Sequence, residues 1–333
     1  MSKWHFWIDR GGTFTDIVAQ SPKGELITDK LLSENPDKYK DAAIHSIRNL
    51  MQLEKSSKIP VSLIGSIKMG TTVATNALLE RKGEPVGLIT NNGYADSLEI
   101  GFQARPSLFA REIKKPDLLY KRVVELDVRV DSKGNELSYL NKKETREKLQ
   151  HLFDAGIRSI AVVFMHNYKF PKHEKQVGRI AKKIGFKQIS LSHEVSPLVK
   201  FISRGDTTVT DAYLSPLLHR YVEQIRSVFD DNLNQLNLLF MTSSGGLTSA
   251  NLFRGKDAIL SGPAGGIIGA IKTSEYSGAK KIITFDMGGT STDVAHYSGI
   301  IEKEFETEIA GIRMRVPMLK INTVAAGGGS ILH

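Results

Sequence analysis

No cysteine occurs anywhere in the 333 residues. Its absence excludes disulfides, thiolate nucleophiles and Cys-ligated zinc, and sits easily with a reducing, cytoplasmic setting. Long apolar runs are missing too. The weakly polar stretch from Ala258 to Ile271 is broken by Ser261-Gly262-Pro263 and falls short of the ~20 residues that a membrane span needs. Nor is an N-terminal leader visible, because the run from Trp4 to Ile8 is short, contains His5 and is closed by Asp9-Arg10. Charge of one sign is in modest excess, 45 basic against 36 acidic residues. Pairs such as Lys114-Lys115, Lys142-Lys143 and Lys182-Lys183 are interleaved with acids, without aromatic-basic alternation. They read as solvated surface, so no nucleic-acid partner is expected. His5, His166, His173 and His193 show no paired metal spacing, which argues against zinc.

What the chain does contain is one octapeptide pattern written twice. Residues 9–16 read DRGGTFTD and residues 286–293 read DMGGTSTD, matching at six of eight positions. Each copy follows a short β-prone run and leads into another, Ile17-Val18-Ala19 or Val294-Ala295. That context predicts a hairpin whose turn bares backbone N–H groups. Paired glycines let the main chain approach an anion, since no Cβ intervenes and φ > 0 is open to them. Threonine hydroxyls add donors, and the leading aspartates suit a hydrated Mg²⁺. One copy alone reads as an ordinary tight turn. Two copies read as a clamp holding a polyphosphate from both sides.

These residues also carry a resemblance. A D-x-G-G-T-x-T-D turn after a strand resembles the phosphate-binding hairpins of the actin, Hsp70 and sugar-kinase superfamily. That ATPase fold is built from two RNase H-like halves. Further matches are IKMGTTVATNALLERKGE at 67–84, FQAR at 102–105, LSGPAGG at 260–266, FDMGGTSTDV at 285–294 and INTVAAGGGS at 321–330. With Arg10, they make the chain similar to the hydantoinase/5-oxoprolinase family (N-methylhydantoinase A-like), and within it to the 5-oxoprolinase branch. The resemblance implies an α/β fold of mixed sheets covered by helices, with ATP and Mg²⁺ as cofactors. It implies that 5-oxo-L-proline is opened to L-glutamate while ATP becomes ADP and phosphate. Family members continue well past a GAGGGS-like segment. The chain is therefore expected to be the N-terminal portion of such an enzyme, with its second half incomplete. A homo-oligomer or a complementary C-terminal chain is the implied partner.

On this reading Asp9 and Asp286 hold Mg²⁺ and its waters. Gly11, Gly12, Thr13, Thr15, Gly288, Gly289 and Thr290 hold phosphates, joined by Gly327, Gly328 and Gly329. Arg10 faces the γ-phosphate or a substrate charge, and Asp16 and Asp293 orient the turns by accepting N–H bonds. Thr71 and Thr72, with Asn76, open a helix after a strand and either receive an anion or merely cap it. Arg105 is a bidentate fork for a substrate carboxylate or a structural ion pair. Arg204 and Asp206 sit just before a predicted helix, as substrate groups or caps. Ser244 lies in a Ser-Ser-Gly-Gly loop after a strand.

Three units are expected. Residues 1–82 form the first RNase H-like part, a three-stranded meander over Trp4 to Leu32, a helix within 37–53, then strand, turn and helix to Leu79. Residues 83–200 alternate strand and helix as an inserted α/β domain. Residues 201–333 supply a helical connection and the start of the second half, with helices at Tyr213–Asp230 and Gly265–Tyr276. A lactam carbon is a poor electrophile, and phosphorylation of its oxygen creates a leaving group so that water can add. Alternatives are an ATP-dependent hydantoinase or related lactam hydrolase subunit, a small-molecule kinase with the same clamp, and an ATP-binding fragment without activity. An RNase H-type nuclease needs several convergent carboxylates, and only Asp9 begins such a set.

Overall fold

The first hairpin starts where the apolar alternation of the N-terminus starts. β1 (Trp4–Arg10) and β2 (Phe14–Gln20) pair antiparallel, and β3 (Leu26–Leu32) pairs antiparallel with β2. Side chains alternate with period two. Phe6, Ile8, Ile17 and Ala19 are therefore buried on one face while Trp7, Asp9, Asp16 and Val18 stand on the other. A helix α1 (Ala42–Leu50), capped by the Asp41 carboxylate accepting from the Ile44 N–H at 3.0 Å, covers the buried face. β4 (Ile64–Thr71) returns parallel to β1 and runs directly into α2 (Val73–Leu79). The computed structural model describes residues 2–324 except 104–108, 110, 113–114, 116 and 289–291, together with 326–331.

The inserted unit is a four-stranded, fully parallel sheet. Its elements are β5 (Val86–Asn91), α3 (Ser97–Ile100), β6 (Tyr120–Leu126), the small pair β7 (Arg129–Val130) and β8 (Glu136–Ser138), α4 (Lys142–Asp154), β9 (Ser159–Val163), α5 (Lys172–Ile184), β10 (Gln188–Leu191) and α6 (Ser192–Val195). The order is β10-β9-β5-β6. β5 and β9 are buried along their whole length, as expected of a parallel sheet covered on both faces. The outer cover is α4 and α5. The inner cover is α7 (Phe201–Arg226), a 26-residue helix shared with the first sheet.

α7 alters two expectations. The predicted helix over Tyr213–Asp230 begins twelve residues earlier, at Phe201, so Arg204 and Asp206 lie inside the helix and cap nothing. After it, β11 (Leu238–Met241) pairs parallel with β4, and β12 (Leu247–Ser249) closes the edge. The first sheet thus reads β12-β11-β4-β1-β2-β3. Part of the 201–333 stretch belongs to the first unit, which is discontinuous in sequence.

α8 (Ser261–Tyr276) starts four residues earlier than predicted, absorbing the Ser-Gly-Pro segment into its first turn behind Leu260, which holds a left-handed φ of 56°. Beyond it, β13 (Ile282–Met287) and β14 (Thr292–Tyr297) form the second hairpin. Two small pairs follow, made of β15 (Lys303–Glu304), β16 (Thr307–Ile309), β17 (Ile312–Met314) and β18 (Met318–Leu319). β19 (Asn322–Val324) then pairs antiparallel with β14, giving the sheet β13-β14-β19. Its small core joins Ala264, Ile267 and Ile271 of α8 to Ala295 and Leu319.

Candidate functional site

The two hairpins have the same internal register. Asp9 stands directly across from Asp16, and Asp286 directly across from Asp293. The first turn is pinned from beneath: the Gly11 N–H donates to the Phe14 carbonyl at 3.0 Å, and the Ser33 hydroxyl donates to the Gly11 carbonyl at 2.7 Å. Thr15 is fully buried with its hydroxyl 3.0 Å from that of Ser33, so it fixes the turn from below and does not face the cleft. Gly12 and Thr13 are exposed at the tip. Neither Gly11 nor Gly12 takes a positive φ. Their requirement is one of space, since a Cβ on Gly11 would sit 2.8 Å from the Phe14 carbonyl oxygen.

Asp9 is the focus. Its carboxylate stands at the end of β1 against two other glycines. A Cβ on Gly70 would lie 2.8 Å from Asp9 Oδ1, and one on Gly262 would lie 3.2 Å away. The end of β4, the entry to α2 and the first turn of α8 therefore meet at this carboxylate. Thr71 and Thr72 are brought there too. The Thr72 N–H donates to the Arg10 carbonyl at 3.0 Å, the Thr71 hydroxyl accepts from the Val73 N–H at 3.2 Å, and the Ser261 hydroxyl donates to the Thr71 carbonyl at 3.0 Å.

Among the described residues, the Asp9 carboxylate has neither a hydrogen bond nor an ion pair. Although solvent reaches it, protein surrounds most of it, and this partial burial raises its pKa, with the Asp16 and Asp286 charges adding to the rise. Asp286 also acts on Asp293, whose pKa is raised by burial although the Thr323 hydroxyl donates to it at 2.6 Å. Asp9 and Asp286, one from each hairpin, thus act on one another, and among the described residues neither has a cationic partner. That donor set fits a hard divalent cation taking oxygen ligands from Asp9 and Asp286.

Other expected groups are placed elsewhere. Arg10 follows Asp9 and so points to the opposite face of β1, where its guanidinium lies 3.8 Å from Asp41 and 5.2 Å over the Tyr221 ring. It faces the core of the first unit, not the cleft. Asp16 pairs with Lys30 at 2.7 Å and Asp293 with Thr323, so neither carboxylate accepts a turn N–H among the described residues. Gly328 packs on the second hairpin through its N–H, which donates to the Gly288 carbonyl at 2.9 Å, and the Gly327–Ser330 turn closes beside it. Gly329 completes that turn. Gly289, Thr290 and Arg105 lie outside the described residues.

Arg204 is fully buried and donates to the Ser192 hydroxyl and to the Phe164, Leu198 and Val199 carbonyls. The Ser192 hydroxyl in turn donates to Glu174, which also accepts from the His193 N–H and ring. That network locks the inserted unit onto α7. His173 is held by Glu136 at 2.7 Å, and among the described residues no three acids or histidines gather as a metal site. Asp206 pairs with Arg313 of β17 at 3.0 Å, beside a recess lined by Leu98, Tyr120, Val209 and Ile312. Burial pushes its pKa up to about 7 while Arg313 pulls it down. Fifteen residues of helix separate Asp206 from Tyr221, roughly 22 Å, so it is remote from the hairpins. Ser244 lies in the turn beside Gly245, which packs on Ile268 and Leu319.

Sequence reasoning missed Gly262 and Asp41. The Gly-Pro-Ala-Gly-Gly run carried a signal for the first, since a glycine at a helix start allows a neighbour to approach closely. Nothing local signalled that Asp41, an evident helix cap, would also face Arg10.

The chain is similar to known proteins along nearly its whole length. Residues 5–185 match the hydantoinase/oxoprolinase N-terminal region, and residues 204–333 match the hydantoinase/oxoprolinase family. A 5-oxoprolinase of Dictyostelium discoideum is 45% identical over 98% of the chain, and 5-oxoprolinase 1 of Arabidopsis thaliana is 45% identical over 99%. The chain spans only 29% and 28% of those proteins. The crystal structure of an ATP-dependent caprolactamase from Pseudomonas jessenii superposes with a TM-score of 0.80 at 27% identity, over 99% of this chain and 49% of that one.

Proposed function

The chain belongs to the hydantoinase/oxoprolinase family, and on that premise we propose that it carries the phosphate-handling part of an ATP-dependent cyclic amidase. The substrate on this reading is 5-oxo-L-proline, opened to L-glutamate as ATP becomes ADP and phosphate. The names of its relatives support it, and so does one observation in particular. The Asp9 carboxylate is unpaired among the described residues, interacts with Asp286 of the other hairpin, and is kept clear by Gly70 and Gly262.

Each group has a physical task. Gly11, Gly12 and Thr13 on one side, and Gly288 with the Gly327–Gly329 turn on the other, present main-chain groups to a polyphosphate without side-chain obstruction. Asp9 and Asp286 would hold Mg²⁺, which neutralises phosphate charge when bound. Thr72 and the first turn of α8 border the same space. The γ-phosphoryl group would pass to the lactam oxygen. Water would then add at the ring carbon and the C–N bond would open, the nitrogen leaving as the protonated amine and the carbon remaining as an acyl phosphate. A second water would displace phosphate, which carries the former amide oxygen. Positioning and charge neutralisation supply the rate. Because the chain spans under a third of the 5-oxoprolinases it matches, the hydrolytic step is assigned to the further region that those relatives carry.

Calorimetric titration with a non-hydrolysable ATP analogue tests the reading. Binding should require Mg²⁺, and Asp286→Ala should weaken it by at least ~1.5–3 kcal/mol, the worth of a charged hydrogen-bonded group. Unchanged affinity in a folded Asp286→Ala chain would overturn it.

A further inference from the structure

The interior of α2 holds an asparagine, Asn76, where alanine or leucine would suit a helix better. Its carboxamide is turned towards the first phosphate turn, since a Cβ on Gly12 would lie 3.4 Å from Asn76 Nδ2. Thr72, four residues earlier, joins Asn76 to the Asp9 side of the site. A Cβ on Gly262 would lie 3.8 Å from the Thr72 methyl and 3.2 Å from Asp9 Oδ1. The Thr72 hydroxyl donates to the Arg10 carbonyl at 3.3 Å. Asp9, Thr72 and Asn76 therefore form one wall beside the Gly11–Gly12 turn.

Local bonding does not account for this carboxamide. Asn76 is half-buried, and its side chain makes one hydrogen bond among the described residues, from Nδ2 to the Thr72 hydroxyl at 3.4 Å. That is longer than the usual range of about 2.7–3.2 Å. Oδ1 accepts nothing among those residues. Nδ2 carries two hydrogens, so with one directed at Thr72 the other remains, lying beside Oδ1 in the same plane. The group thus offers a donor and an acceptor together to the space over Gly12. A polyphosphate brings acceptors alone and would leave Oδ1 opposed. A cyclic amide brings both, because ring closure holds its N–H and C=O on the same side of the C–N bond.

We propose, resting on the nucleotide and lactam reading above, that Asn76 is the residue that recognises the lactam. Its Nδ2–H would donate to the lactam oxygen while Oδ1 accepts from the lactam N–H, two parallel hydrogen bonds between two planar amide edges. An open-chain secondary amide holds its N–H and C=O on opposite sides and can make only one of the two bonds. Thr72 steadies the carboxamide from behind. The lactam oxygen keeps its second lone pair for the γ-phosphoryl group, so recognition and reaction use different sides of one atom. Asn76 is on this account a specificity-determining residue, distinct from the groups that hold phosphate and cation.

Ligand-observed NMR on the 333-residue chain, with Mg²⁺ and a non-hydrolysable ATP analogue present, can compare two probes of one shape. One is 5-oxo-L-proline and the other its lactone counterpart, in which a ring oxygen replaces the N–H. The native chain should favour the lactam about tenfold, the worth of one hydrogen bond. Asn76→Ala should erase that preference, and so should Asn76→Leu, which keeps bulk and helix propensity should the alanine chain fold poorly. A merely structural role would weaken both probes together and leave their ratio unchanged, which would overturn the assignment. So would a native chain that binds the analogue yet shows no preference for the lactam. A marked loss of analogue affinity in folded Asn76→Ala, read by calorimetry, would make Asn76 a phosphate ligand and overturn it too. Absence of Mg²⁺-dependent analogue binding by the native chain would instead fell the nucleotide reading, and this inference with it.

Discussion

Replacing Asp9 with asparagine should have opposite effects on stability with and without ligand. Asp9 Oδ1 is hemmed by Gly70 and Gly262; its charge is opposed first by partial burial and then by the charges of Asp16 and Asp286. Its raised pKa means that the folded state holds the proton more tightly than the unfolded chain does, so ionised Asp9 opposes folding at neutral pH. Asparagine keeps the shape and removes the charge. Each partly solvated charge pair is worth about 0.2–1 kcal/mol, so relief from two like-charge neighbours should stabilise the chain by roughly 0.5–1.5 kcal/mol. In a scanning experiment with EDTA and low salt, that is a rise in Tm of about 1–2 °C, shrinking as added salt screens the repulsion. With Mg²⁺ and an ATP analogue at about a hundred times its Kd, native protein should gain about 2.7 kcal/mol by mass action. The variant, lacking the cation's ligand, should gain little, so the order of the two melting curves should invert. A variant that melts below the native chain in EDTA, or that gains equally from Mg²⁺ and nucleotide, would refute the argument.

Gly70→Ala should cut Mg²⁺-dependent affinity for the analogue about tenfold, ~1.4 kcal/mol, because its Cβ would lie 2.8 Å from Asp9 Oδ1. Calorimetry checks this against Gly266→Ala, where no atom lies within 4 Å and binding should not change. Arg10→Met should leave binding intact but destabilise the fold by about 1–3 kcal/mol, since buried Asp41 loses its facing charge; urea denaturation reads this, and lost binding at unchanged stability would show Arg10 facing ligand. Asp206 should make stability fall as pH rises from its ordinary 3.8 towards about 7, by at most about 4 kcal/mol. Thermal melts across that range should be flatter for Asp206→Asn, and an unaltered slope would remove Asp206 as the cause.

The hairpins were legible because their information is local. Glycine pairs, flanking β-prone runs and a repeated octapeptide need no knowledge of the rest of the chain. The same holds for the strand–helix alternation over residues 83–200, which announces an α/β unit with a parallel or mixed sheet. Long-range pairing was not legible. That β11 returns to β4, making the first sheet six-stranded, depends on a contact across some 170 residues with no local mark. Arg204 and Asp206 misled for a related reason. Arg-Gly-Asp-Thr has the composition of a polar loop, yet tertiary contacts hold it inside α7: Thr207 and Thr208 direct their hydroxyls back to carbonyls four residues earlier, and Glu174 anchors Ser192 against Arg204. Arg10 failed through strand parity, since neighbours in a strand face opposite ways and only one of Asp9 and Arg10 can address the cleft.

The geometry of the site rests on a single helix. The first turn of α8 is fixed to the first unit, with the Ser261 hydroxyl on the Thr71 carbonyl, the Leu260 N–H on the Thr75 hydroxyl and Gly262 against Asp9. Two turns further on, Ile267 and Ile271 pack with Ala295 of the second hairpin and with Leu319. Nine residues of helix, about 14 Å, therefore link the first unit to the strands of the second hairpin. A helix is stiff along its axis, so this link does not depend on loops. The first hairpin is pinned further by Thr15, Ser33 and Gly11, whereas the second has an exposed apolar outer face and, among the described residues, one unpaired edge. The first turn is thus a fixed jaw and the second a jaw held from one side.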